Sequence, residues 1–318
     1  MNKIADFADG QHIVDCYLVR DKLELVTKAG KDYMKLILED SSRTINGMVW
    51  DLESALIGSF RKGDVVKVDA FVQTYQGALQ LNIVRIRQAK AGEYKLEDLF
   101  KVSKKDPEDL YQQALAMIDQ IRDPGLKQLV EYFYKLNPNT IKKLKQHPAA
   151  KSIHHDYVGG LLEHSVTVAE YAVSFQEAYP QMDKDLLIAG GLLHDIGKLS
   201  ELAPIPLNDY TDSGRLLGHI TIGYQMVHEA GARIGLLSQK KLLQLEHMIL
   251  SHHGEREFGS PVVPETMEAM ALHMADLCDS HLKQMEEQIE TDRTEGSWTA
   301  YNRVLDRYIY KPEESDER

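Results

Sequence analysis

Apolar and polar residues alternate through much of residues 12–88, whereas from Pro107 onward the apolar residues recur at intervals of three and four. Period two pleats into half-buried strands and period 3.6 winds into helices with one apolar stripe; neither pattern suits the other structure. The chain therefore reads as multidomain, an all-β part followed by an all-α part, and 318 residues with 43% hydrophobic composition suffice for two cores. Expected strands are Ile13 to Thr27 (bent near Asp21), Tyr33 to Glu39, Thr44 to Trp50, Val65 to Tyr75 and Leu79 to Arg87, with a short helix, Leu52 to Phe60, between the third and fourth.

Five strands with a helix at that point resemble the OB-fold, a small Greek-key barrel that often takes single-stranded nucleic acid. Alternation puts Met34, Leu36, Leu38, Val66, Val68, Ala70 and Val72 inside. The outer face then carries Tyr33, Lys35, Trp50, Lys67, Phe71 and Tyr75. Such rings stack on bases and such cations meet phosphates, or the same face packs on another domain or subunit. Residues 1–92 hold 13 Lys and Arg against 12 Asp and Glu, leaving 24 against 37 for the remainder, so the net charge of -12 belongs to the C-terminal part. That body repels a polyanion unless bound cations offset it, which argues against a protein that coats nucleic acid non-specifically.

The expected division is an OB-fold domain at 1–92, a helical connector at 93–148 and an all-α domain at 149–318. Within the last, helices are expected at Gly160 to Ala178, Lys184 to Leu199, His219 to Ile234, Gln239 to His252 and Glu265 to Glu290, with a shorter one at Thr299 to Tyr308. Ser200 to Gly218 reads as a long functional loop, and the polar end, 313–318, as disordered. Cys16 and Cys278 support neither a disulfide framework nor a cysteine-based zinc site. Without a signal peptide or an apolar run of membrane length, the expected compartment is the cytoplasm.

The chemistry concentrates in GGLLHDIGKLSEL, Gly190 to Leu202. Its adjacent His194 and Asp195 offer a nitrogen and an oxygen to one borderline or hard cation. Further candidates are His164 (GGLLEHSVTVAEY), His219 (GRLLGHITIG), His252 and His253 (ILSHHGE) and Asp276 (ALHMADLCD). Each has an ordinary alternative: a core histidine at 164, a helix start at 219, a helix C-terminus complemented by imidazole at 252 and 253. Lys198 follows Asp195 by three, a spacing that shares a helix face, and its ammonium can meet a phosphate or simply be solvated. Tyr210, Thr211 and Arg215 in the long loop are candidate substrate contacts, Arg215 foremost because guanidinium grips phosphate bidentately. His273 reads as a core residue or a support for Asp276, His154 and His155 as solvent-exposed, and His12, His147, His228, His247 and His281 as structural.

The order H…HD…H…HH…D resembles the HD-domain metal-dependent phosphohydrolases, in the branch that holds two metals. Together with the N-terminal OB-fold, nearly the whole chain resembles the YhaM-type 3′→5′ exoribonucleases. The resemblance implies one cation on His164, His194, Asp195 and Asp276, and a second on His219, His252 and His253, with Asp195 bridging. Two such cations generate hydroxide and clamp a phosphate, and mixed nitrogen and oxygen ligands favour Mn, then Fe or Co, over Mg. The implied activity is hydrolysis of single-stranded RNA, with single-stranded DNA as a second substrate, to nucleoside 5′-monophosphates; Asp195 and Lys198 serve catalysis, and a homo-oligomer is expected. Two alternatives stay open: a phosphohydrolase of a small nucleotide or cyclic dinucleotide, and a nucleic-acid-binding protein with an idle HD domain. Against the cyclic dinucleotide, SHHGEREFGSPVVPE lacks a GYP element.

Overall fold

The computed structural model describes residues 2–90, 92–100, 102–150, 157–205 and 207–312. His154, His155 and 313–318 lie outside these. By contacts the chain forms two compact units, 1–102 with 204–208, and 103–203 with 209–318.

In the first unit, β1 (His12–Val26), β2 (Asp32–Glu39), β3 (Thr44–Val49), β4 (Val65–Tyr75) and β5 (Ala78–Gln88) close a barrel in the order β1-β2-β3-β5-β4. All pairings are antiparallel except β3 with β5. This is the OB-fold strand order, and α1 (Leu96–Leu99) follows the last strand. Met34, Leu36, Leu38, Val66, Val68, Ala70 and Val72 all face the core, with Tyr17, Leu81 and Ile86. The bend in β1 is a register shift between Val19 and Asp21, one extra residue that tightens the curl of a closing sheet. The helix expected at Leu52 to Phe60 does not form. Its backbone instead pairs with β5, where Gly58 N donates to Ile86 O (2.7 Å) and Ile86 N to Leu56 O (3.1 Å).

The second unit holds α2 (Pro107–Asp119), α3 (Pro124–Glu131), α4 (Pro138–Gln146), α5 (Gly160–Ala178), α6 (Lys184–Leu193), α7 (Lys198–Glu201), α8 (Asp212–Gly231), α9 (Gln239–Ser251) and α10 (Met267–Thr291). Asp106, Asp123, Asn137 and Asp183 cap α2, α3, α4 and α6 with side-chain oxygens, and three of these helices carry proline in the first turn, where its missing N–H costs nothing. Leu110, Ile118, Leu126 and Tyr134, from the stretch read as a connector, share one core with Leu162, Leu193, Leu245 and Leu272. None of the helices is long and apolar enough to cross a membrane, among the described residues.

Three helix expectations are corrected. The helix from Lys184 ends at Leu193 rather than Leu199, because bonds of the tighter i to i+3 type, such as Lys198 N to Asp195 O (3.0 Å), take over. The loop at Ser200 to Gly218 is partly helical: Thr211 Oγ1 accepts from Gly214 N and starts α8 at Asp212, and Gly218 (φ 71°) kinks that helix just before His219. Thr299 to Tyr308 is not a helix; Asn302 Oδ1 takes the N–H groups of Val304 and Leu305, and the chain folds back so that Asn302 pairs with Arg307.

Candidate metal centre and nucleic-acid groove

Two close approaches assemble the centre. A β-carbon on Gly191 would lie 2.4 Å from Ala169 Cα, and one on Gly197 would lie 2.0 Å from His219 O. Only glycine at these positions lets α6 press on α5 and the His194–Gly197 turn press on α8. His164, His194 and His219 thereby meet around Asp195, and the end of α9 brings His252 and His253 while α10 brings Asp276.

The donor atoms form two groups, His164 with His194 and Asp276, and His219 with His252 and His253. Asp195 stands between them. Its Oδ2 lies 3.5 Å from His164 Nε2 and 3.4 Å from His194 Nε2; its Oδ1 lies 3.4 Å from His219 Nε2 and 3.7 Å from His252 Nε2. His164 Nε2 is 3.2 Å from both His194 Nε2 and Asp276 Oδ1. Bonds of about 2.0–2.2 Å to one ion put neighbouring donors about 3–3.5 Å apart, which is close to these separations.

The far ring nitrogens settle which atoms face inward. His194 Nδ1 lies 2.9 Å from Gly191 O, His252 Nδ1 2.7 Å from Ile249 O and His253 Nδ1 2.9 Å from Phe258 O. A carbonyl only accepts, so these three nitrogens carry the proton and each Nε2 presents a lone pair to the centre. Carboxylates meet Nδ1 of the other two and turn their Nε2 inward: Asp279 Oδ2 is 2.6 Å from His164 Nδ1, and Glu201 Oε1 is 3.0 Å from His219 Nδ1. Glu201 Oε1 also accepts the backbone N–H of His219 (2.9 Å), which the kink at Gly218 frees from the helix ladder. Asp195 Oδ1, His219 Nε2 and His252 Nε2 are buried atoms with no hydrogen bond inside the protein. Buried polar atoms without partners cost free energy, and three of them converging on one point fit a cation.

Charge is divided unevenly. Burial disfavours a proton on His164, but Asp276, Asp279 and Asp195 outweigh it and raise its pKa to about 10. Burial, with His253 and His194 beside it, drives His252 well below the ordinary imidazole value, and burial and His219 lower His253. Asp195 and Asp276 ionise far more readily than free aspartate: burial opposes this, but Lys198 and His194 outweigh it at Asp195, and His164 does so at Asp276. The carboxylates thus favour positive charge at His164 while burial keeps His252 and His253 uncharged, and a mixed set of imidazole and carboxylate donors suits a divalent ion.

Lys198 Nζ lies 2.6 Å from Asp195 Oδ2, and burial is outweighed by that carboxylate, so its ammonium pKa rises. It lines a cleft of 230 Å³ with His164, Asp195, His253 and Asp276. Of the loop candidates, Thr211 is a helix cap that also bonds the carbonyls of Ser200 and Glu201, and Arg215 faces Asp209 (3.6 Å) and the ring of Tyr210. None of the three lines the cleft. Asp279 and Glu201 escaped the sequence reading, although each follows a named residue, Asp276 or Lys198, by three. His273 supports the centre through its Nδ1, 2.9 Å from His252 O, and His281, read as structural, lines the cleft.

On the barrel, Tyr33, Lys35, Trp50 and Tyr75 line one groove of 690 Å³ with Asn46, Met48 and Gln80. Tyr33 and Trp50 stack at 5.1 Å. Lys67 and Phe71 are not part of it: Lys67 pairs with Glu93 (3.2 Å) and Phe71 lies against His12.

Residues 161–281, which include every candidate ligand, match the family model described as HD domain. The barrel is similar to a domain of replication protein A from Methanococcus maripaludis (20% identity over 27% of this chain and 92% of that one, TM-score 0.23). It is also similar to the second OB-fold domain of replication protein A from the same organism (21% identity, 29% and 96%, TM-score 0.24). The chain thus carries an HD domain over residues 161–281, preceded by a five-stranded barrel closed in the OB-fold order.

Proposed function

We propose that the protein is a metal-dependent 3′→5′ exoribonuclease that shortens single-stranded RNA, and single-stranded DNA as a second substrate, to nucleoside 5′-monophosphates. The carrying observation is that five imidazoles present Nε2 to one buried centre while the two oxygens of Asp195 face the two halves of it. His164, His194, Asp195 and Asp276 would hold one cation, and His219, His252 and His253, with Asp195, the other. Imidazole-rich ligation favours Mn, with Fe or Co as substitutes. Bound there, the pair supplies an activated water and positive charge for the phosphoryl oxygens. Asp195 fixes the spacing of the two halves, and Lys198, in the wall of the same cleft, neutralises charge growing on the phosphate.

Residues 1–92 hold single-stranded segments through the Tyr33 and Trp50 rings, with Tyr75 and Lys35 beside them. Several copies in a homo-oligomer raise the local concentration of 3′ ends, which a near-neutral barrel on an acidic chain needs. The expected setting is the cytoplasm.

The test is a time course on 5′-labelled single-stranded RNA with Mn²⁺ and then with chelator. The expected result is a Mn²⁺-dependent ladder shortening from the 3′ end, absent after His194→Ala with Asp195→Ala. RNA left intact by the metal-replete wild type overturns the reading.

A further inference from the structure

The cleft beside the metal centre continues along α10 past its ligand. Asp276, Ser280 and Gln284 succeed one another at four-residue spacing on one face, with Leu277 and His281 alongside, and all five line the cleft. At about 1.5 Å rise per residue, Gln284 stands about 12 Å beyond Asp276, close to the reach of one nucleotide from phosphate to base edge. Phe258 and Val304 also line the cleft. Phe258 is 65% exposed, and its carbonyl is the partner of His253 Nδ1, so the turn that orients a ligand also holds this ring at the wall.

Two polar groups of this stretch are unspent. Neither the His281 imidazole nor the half-buried Gln284 amide makes a hydrogen bond to another described residue. Ser280 is 3.4 Å from Asp276 Oδ1 and remains next to the ligand. Mixed apolar walls with a few free donors and acceptors describe a ligand pocket, and 230 Å³ is below the ~300–1,000 Å³ of pockets for drug-sized molecules. It is on the scale of a small ligand such as one nucleoside.

We propose that Phe258, Leu277, Ser280, His281, Gln284 and Val304 form a single-nucleoside subsite. It takes the nucleoside attached to the phosphate under hydrolysis, with Gln284 and His281 meeting the base edge and Phe258 its face. The proposal rests on the reading of the adjacent centre as a phosphoester hydrolase. A pocket that takes one terminal nucleoside past the phosphate favours hydrolysis at a chain end.

Titration of the Mn²⁺-loaded full chain with adenosine 5′-monophosphate and with ribose 5-phosphate tests it. The nucleotide should bind about tenfold more tightly, the worth of one or two net hydrogen bonds. Gln284→Ala combined with Phe258→Ala should erase that advantage and leave ribose 5-phosphate affinity as it was. Val304→Trp should fill the pocket and block the nucleotide without changing Tm. Equal affinity for both ligands in the wild type, no nucleotide binding, or an undiminished advantage in the double variant overturns the subsite. A second arm compares single-stranded RNA with and without a base on its 3′-terminal ribose. Terminal cleavage slowed about tenfold by the missing base supports the subsite on the RNA end, and equal rates overturn it there. Nucleotide discrimination by a protein that leaves RNA intact supports the subsite with a small-nucleotide substrate and rejects the exoribonuclease reading, so the two failures are told apart.

Discussion

Asp279 Oδ2 lies 2.6 Å from His164 Nδ1, on the side of the ring away from the centre. A carboxylate in this place fixes the tautomer and makes Nε2 a stronger ligand. Asp279→Asn should therefore lower affinity for one of two metals about 10–100-fold, while circular dichroism stays that of the wild type. Metal content after dialysis against chelator is the measure. Two ions per chain retained as tightly as in the wild type would remove this role from Asp279.

Glu201 plays the corresponding part for His219, with one oxygen on both the ring and the backbone N–H. Glu201→Gln should weaken the other metal by a similar factor. Combining it with Asp279→Asn should leave neither ion tightly bound. If the two variants instead deplete the same single ion, the two-group division is wrong.

Asp195→Ala removes the carboxylate common to both groups and the partner of Lys198. Both ions should be lost. The metal-free variant should also be less stable than the metal-free wild type by about 3–5 kcal/mol, because an uncompensated ammonium stays largely buried. Urea unfolding in chelator reads this directly, and Asp195→Ala with Lys198→Met should recover part of the loss.

Stability of the metal-free protein should peak near neutral pH. Burial lowers the pKa of His147, His252 and His253, so below about pH 6.5 the unfolded chain binds more protons than the folded one. Their contribution is complete above that pH and is lost as pH falls. His164 runs the other way: raised to about 10, it contributes fully below about pH 6.5 and loses that contribution as pH rises through 10. Tm measured in chelator should fall from pH 7 toward 5 and again toward 10; a constant Tm across the acidic limb would contradict the assigned shifts.

On the barrel, Trp50→Ala and Tyr33→Ala should each weaken binding of a single-stranded oligonucleotide by about 1–3 kcal/mol, the worth of one stacked base. Phe71→Ala and Lys67→Ala should change it little, since one ring lies against His12 and the ammonium is taken by Glu93. Fluorescence anisotropy with labelled RNA separates the pairs. Equal losses at all four would return the whole outer face to the binding surface.

Much of this protein is legible one residue at a time. Alternation over 12–88 determines the barrel's inside, because strand neighbours point to opposite faces wherever the ladder runs. The candidate donors at 164, 194, 195, 219, 252, 253 and 276 are written in the chain, because donor chemistry belongs to the side chain itself. The segments misread as helices, 52–60 and 299–308, failed because their backbone groups find partners across space or in a local asparagine turn, which period cannot register. Only the tertiary structure decided which nitrogen of each histidine faces the centre, since that depends on Gly191 O, Ile249 O, Phe258 O, Asp279 and Glu201 meeting the far side of the rings. It also divided the outer aromatics, gathering Tyr33, Trp50 and Tyr75 at one groove and leaving Phe71 and Lys67 elsewhere, because barrel closure sets which outward residues become neighbours.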